Sequence, residues 1–229
     1  AGVCVDEIED PRPYCEIIRQ WTTLHPEFDY LPRKFKIAVS GSLHDRAATQ
    51  LHDIGLHLVK NPTGEIGFRV YVGGGLGRTP VIGQIIRPFL EKKYLLSYLE
   101  AILRIYNLYG RRDNKYKARI KILVKETGLE EFSRQVESEW ELTKDTLLLT
   151  DERINAIKAH FSAPPYDLEA TQDNSFVKRL AESSAFATWV KYNTASHKIA
   201  GYRAVFLSLK APDVPPGDMT DSQMDDVAD

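Results

Sequence analysis

The sequence predicts an α+β fold in which a mixed or antiparallel sheet is flanked by helices. Three observations carry this. Residues 54–60 and 66–72 are two apolar-rich arms joined by Asn61-Pro62-Thr63-Gly64, which reads as a β-hairpin. Residues 91–109, EKKYLLSYLEAILRIYNLY, place Tyr94, Tyr98, Ile102 and Ile105 on one helical stripe, with Leu95, Leu99, Leu103 and Tyr106 beside it. Further helical patterns follow over 111–128, 129–140, 150–161 and 176–192.

In chain order, Ile17, Ile18 and Trp21 share one face of a short first helix. FKIAVSG, residues 35–41, reads as a strand that Gly41 ends. After the hairpin come Gly73, Gly74 and Gly75, and after the long helix Gly110 stands at a C-terminal cap. Residues 111–128 carry two signals. Alternating basic residues suit a strand, whereas Asp113 as a cap, Lys125 in a last turn and Gly128 as a stop suit a helix, which is the reading adopted. Thr150 caps the helix at 150–161. Residues 162–175 form a polar, proline-containing linker and the best boundary in the chain. GYRAVFLSLK, residues 201–210, reads as a strand, and residues 211–218 as a loop. Thr220 with Gln223 has capping-box spacing, and Met224, Val227 and Ala228 open an apolar stripe. A helix that starts there points to a piece of a longer protein.

The chain has 229 residues, is 43% hydrophobic and 27% charged, and carries a net charge of −2. That is an ordinary globular composition, which gives no general reason to expect nucleic-acid or membrane binding. Cys4 and Cys15 are the two cysteines. They read as plain thiols of a cytoplasmic protein and are too few to ligate zinc or an iron–sulfur cluster alone. The six histidines are scattered and form no metal-binding motif.

Three stretches bear on chemistry. Lys34 and Lys36 alternate with Arg33 and Phe35, so on a strand both ammonium groups point one way, about 7 Å apart. Such a pair suits a small anion, to which one lysine can also give a proton. It suits equally an edge protected against aggregation. VGGGLGRTP, residues 72–80, matches no nucleotide-loop pattern. It reads as a turn that admits close anion contact, with Arg78 nearby, or as a tight bulge. From Arg104 to Lys125 there are eight Lys or Arg, opposed locally by Asp113. This suits a polyanionic ligand, a nucleic acid stacked on Tyr106, Tyr109 and Tyr116, or a solvated helix face.

LPRKFKIAVSG, DRAA followed by HDIGL, GFRVYVGGGLGRTP and YGRRDNKYKARIKILV occur in this order and in register. Together with IRQWTTLHPEF upstream and GYRAVFLSLK downstream, they resemble the nitrite and sulfite reductase family, in particular its bacterial assimilatory sulfite reductase haemoproteins. The resemblance implies a sirohaem coupled to a 4Fe–4S cluster that reduces sulfite to sulfide, or nitrite to ammonia. The electron donor would be ferredoxin or an NADPH-linked flavoprotein, with no nucleic-acid or membrane partner. It implies that Lys34 and Lys36 bind the substrate anion and supply protons. Arg33, Arg112, Lys115 and Arg119 would hold the carboxylates of the sirohaem, with Arg78 and Lys117 as weaker candidates, and Gly73, Gly74 and Gly75 would pack against it. Residues 1–160 would be most of a first sirohaem-type domain, 161–197 a linker and helix, and 198–229 the start of a second, ferredoxin-like half-domain. Neither cysteine has the family's cluster spacing. The fragment alone is therefore expected to be inactive and to hold no cofactor by itself.

Overall fold

Four strands lie side by side in chain order: β1 (Ile37–Ser40), β2 (Ile54–Lys60), β3 (Ile66–Val72) and β4 (Gln84–Glu91). β1 runs parallel to β2, and the other neighbours are antiparallel, so the sheet is mixed. The structure is a computed structural model that describes residues 1–167 and 174–228. Part of the expected linker, 168–173, lies outside the described residues. The chain forms two units, one comprising 1–2 and 6–165, the other 3–5 and 166–229.

The hairpin arms are those predicted. Asn61 makes the turn, its Oδ1 accepting from the Thr63 and Glu65 N–H groups at 3.1 and 2.9 Å. Gly64 supplies the positive φ of +86°. No element was expected over 84–90, where β4 runs. Pro88 interrupts the strand signal there, yet the strand is at the edge of the sheet, where a missing N–H is tolerated. The register shifts opposite Val70.

Around the sheet, in one core, lie α1 (Arg12–Thr22), α2 (Leu95–Tyr109), α3 (Ile120–Thr127) and α4 (Leu129–Thr143), with α5 (Asp151–Lys158) packed on α1. The α2 stripe is fully buried at Tyr98, Leu99, Ile102 and Tyr106. Tyr14 of α1 meets Phe68 of β3 edge to face at 5.0 Å. Gly128, at φ +83°, separates α3 from α4 as predicted. The N-terminal part of 111–128 differs from expectation. Asp113 pairs with Arg111 at 2.6 Å instead of capping a helix. Asn114 caps a single 3-10 turn over Lys115–Lys117, and α3 begins only at Ile120.

In the second unit the single helix expected over 176–192 is two, α6 (Asn174–Glu182) and α7 (Ser184–Asn193). Ser183 breaks it by accepting from the Phe186 N–H. The strand expected over 201–210 is confined to β6 (Arg203–Val205), paired with β5 (Thr194–Ser196). The capping box opens α8 (Asp221–Ala228) as predicted. Thr220 N–H donates to Gln223 Oε1 at 3.0 Å, and Gln223 N–H to Thr220 Oγ1 at 3.2 Å. No helix among the described residues is long and apolar enough to cross a membrane.

Glu9 ties the first unit together. It accepts from Lys92 Nζ at 2.6 Å and the Tyr14 hydroxyl at 2.7 Å, and pairs with Lys158 of α5. Burial pushes its pKa up, but the hydrogen bonds from Lys158, Lys92 and Tyr14 outweigh burial and hold it below the usual carboxyl value. A folded-state pKa lowered in this way stabilises above the unfolded value and is lost as pH falls through the folded one. Glu9→Gln is expected to cost about 2 kcal/mol at neutral pH. Its deficit relative to the wild type, followed by thermal melting, should shrink below about pH 4.

Candidate anion and cofactor site

The sheet register itself assembles one end of the site. Ile37 pairs with Ile54 and Ile54 with Val72, so Lys36, Asp53 and Gly73 fall in a row across the sheet end. Asp53 is fully buried and joins them. Its Oδ2 accepts from the Lys36 N–H at 2.9 Å, and its carbonyl from the Gly73 N–H at 3.0 Å. Arg119, at the N-cap of α3, closes over the carboxylate with both Nε (2.9 Å to Oδ1) and Nη2 (2.6 Å to Oδ2). This two-pronged pair is the strong geometry of an arginine–carboxylate contact. A second tie runs through Tyr106, whose ring lies 5.7 Å from Phe35 and whose hydroxyl donates to the Ala118 carbonyl at 2.7 Å. Burial and the Asp53 carboxylate push the Tyr106 pKa up to about 12. Segments 33–36 and 117–119, far apart in sequence, therefore lie side by side.

Lys34 and Lys36 precede the hydrogen-bonded part of β1 instead of lying within it, but the expected alternation holds. Both are exposed, while Arg33 and Phe35 are partly buried. Among the described residues the side chains of Arg33, Lys34, Lys36, Arg78 and Lys117 have no hydrogen-bonded or ionic partner. Arg112 bonds only neutral acceptors, the Tyr30 carbonyl at 2.8 Å and Asn107, so its charge is uncompensated. Lys115 lies over the Tyr116 ring at 5.4 Å.

The glycine turn is built for close packing. Gly73, at φ +80°, sits against Val124 of α3. A Cβ at Gly74 would overlap the carbonyls of Gln50 and His52, and one at Gly75 would press on Lys121. The Gly73 and Gly75 N–H groups already bond the Asp53 and Val81 carbonyls, at 3.0 Å each. What the turn presents outward is the loop 76–80, with exposed Arg78 at its tip. Lys121 holds that loop, its buried ammonium donating to the Leu76 and Thr79 carbonyls at 2.9 and 2.7 Å.

The charge excess of 104–125 is smaller in space than in sequence. Arg104 pairs with Glu100 and Glu139 at 2.7 Å each and with Glu27 at 3.5 Å. Arg111 pairs with Asp113, and Arg119 with Asp53. Sequence reasoning missed Asp53, and it counted Lys121 in the basic run without giving it a role of its own. A signal for Asp53 was present, an acid just ahead of a strand that pairs with the strand after RKFK.

The nitrite and sulphite reductase 4Fe-4S domain family matches residues 1–144. This chain belongs to that family. It is 36% identical over 140 residues to sulfite reductase (ferredoxin) 1 of Mycolicibacterium paratuberculosis, covering 61% of this chain and 25% of the relative. It is 28% identical over 144 residues to the ferredoxin–nitrite reductase of Leptolyngbya laminosa, covering 61% and 28%. The solved structure of the Mycobacterium tuberculosis NirA protein matches with a TM-score of 0.55 and 32% identity, over 61% of this chain and 25% of that one. The chain thus spans about a quarter of the length of these relatives. The mixed sheet flanked by helices agrees with the fold class predicted from sequence.

The family implies two cofactors, and the residues here fit them unequally. Sirohaem carries many carboxylates, and the uncompensated charges of Arg33, Lys34, Lys36, Arg78, Arg112 and Lys117 fit such a group. A 4Fe–4S cluster takes four cysteine ligands. Two cysteines, both free thiols, do not supply them, and the described residues hold no group of three or more metal-ligating side chains.

Proposed function

We propose that this chain is the part of a sulfite reductase haemoprotein that receives the substrate anion and lines one side of the sirohaem. The observation that carries the reading is the convergence of segments 33–36 and 117–119 on Asp53, with Arg33, Lys34 and Lys36 left uncompensated. Sirohaem, bound and coupled to the cluster, would relay to the anion the electrons that the external donor provides. Lys34 and Lys36 hold the sulfite oxygens and deliver protons as those oxygens leave as water. Arg33 and Arg112 pair with carboxylates of the cofactor. Arg119 uses Nε and Nη2 on Asp53 and keeps Nη1 for another carboxylate. Lys115 pairs with a further carboxylate of the cofactor, and Gly73, Gly74 and Gly75 let the turn approach the macrocycle. Preorganised cations in a water-poor site are the expected source of rate.

The names of the relatives favour ferredoxin as donor over an NADPH-linked flavoprotein. Nitrite is the second reading, favoured by the nitrite reductases among them. Free Cys4 and Cys15 are in keeping with a cytoplasmic setting. Residues 1–160 are read as most of a sirohaem-type domain and 198–229 as the start of the next half-domain. The cluster ligands come from outside this chain, so activity belongs to the intact protein. That protein, purified, should show a sirohaem absorption spectrum, contain iron and acid-labile sulfide, and oxidise reduced ferredoxin when sulfite is added. A protein lacking both cofactors would overturn the proposal.

A further inference from the structure

We infer that Asp53 is a positioning residue for the anion site: it sets where the Lys36 ammonium stands without touching the substrate itself. The inference rests on the reading above for the identity of the anion, but its geometry stands apart from it. Lys36 has an exposed, unpartnered side chain, so nothing at its tip fixes it. Its backbone N–H is fixed, and by a carboxylate that is fully buried. That carboxylate is in turn oriented by Arg119 through two bonds, and the Asp53 backbone is held by Gly73. One acid therefore locks the first residue before β1, the turn after β3 and the start of α3 into one frame. Two exposed lysines can converge on a small anion only if their Cα positions are held. A displacement of about 1 Å at a reacting group is enough to lower rates a hundredfold.

Asp53 also restrains the charge. Arg119 lies beside Lys36 and would otherwise add a third free cation to the lysine pair. The buried carboxylate neutralises it and leaves the substrate anion to Lys34 and Lys36. The site then selects by placement and not by a diffuse excess of positive charge.

The test uses the intact protein carrying this chain, with sulfite itself as the probe. Asp53→Asn keeps the shape but removes the charge that Arg119 grips. It should retain sirohaem, raise the sulfite dissociation constant read from the haem spectrum at least tenfold, and speed hydrogen exchange at the Lys36 amide. Asp53→Glu keeps the charge and moves the carboxylate by one methylene. It should weaken sulfite binding at least fivefold while losing less melting temperature than Asp53→Asn, because the charge stays paired, and it decides the matter if Asp53→Asn fails to fold. Wild-type sulfite affinity in either variant, or unchanged exchange at the Lys36 amide in Asp53→Asn, overturns the inference. If the wild-type protein contains no sirohaem, the functional reading fails instead, and exchange at Lys36 still reports whether Asp53 holds the strand start.

Discussion

Lys34→Ala or Lys36→Ala in the intact protein should lower sulfite turnover by about 10²–10³-fold, the usual effect of removing one preorganised group that stabilises charge in the transition state. The sirohaem spectrum should stay nearly unchanged, because neither ammonium bonds to the fold. Both side chains are exposed and without partners among the described residues. For the same reason the melting temperature should barely move, since such surface substitutions change stability by about 0.5 kcal/mol or less. Arginine separates the two jobs assigned to these lysines. Lys36→Arg keeps the charge, but a guanidinium holds its proton too tightly to give it up. Sulfite affinity should therefore recover more than turnover does. Normal turnover in both alanine variants would remove the lysines from the mechanism. A proportional loss of sirohaem would make them cofactor ligands instead.

What the sequence revealed and what it hid divide by distance along the chain. The hairpin, the α2 stripe and the Thr220–Gln223 capping box were legible because each is encoded within a few residues. β4 was not, because Pro88 and the glycines before it erase the strand signal that edge pairing then tolerates. The three basic stretches were visible as separate charges. Their assembly was not, because Asp53 and Arg119 stand 66 positions apart and nothing local couples them. Arg104 shows the same limit in the other direction, for its neutralising partner Glu139 lies 35 positions away, so a run that reads as charged in sequence is partly balanced in space. The glycines, in turn, were legible as a close-packed turn. Which backbone they admit was not, and it proves to be the carbonyls of Gln50 and His52.

The largest stability effect should come from Arg119→Ala. It leaves the Asp53 carboxylate fully buried with the backbone N–H of Lys36 as its remaining partner among the described residues. Breaking a buried pair by removing one member costs about 3–5 kcal/mol. Arg119 is itself partly exposed, at 21% of its side chain, so water reaches the vacancy and the lower end, about 3 kcal/mol, is expected. Arg119→Lys should fall between, because an ammonium cannot reproduce the two parallel bonds of a guanidinium. Combining Arg119→Ala with Asp53→Asn should restore part of the loss, since the second change removes the stranded charge. The double-mutant cycle then yields the coupling between the two residues. Sirohaem content, measured on the same samples, tells a scaffold from a ligand. If Arg119 acts through Asp53 as well as on the cofactor, Arg119→Ala loses stability and occupancy together, and the double variant regains stability first. Loss of sirohaem with an unchanged melting temperature would mean that Arg119 serves the cofactor alone and that the Asp53 pair adds nothing to the fold.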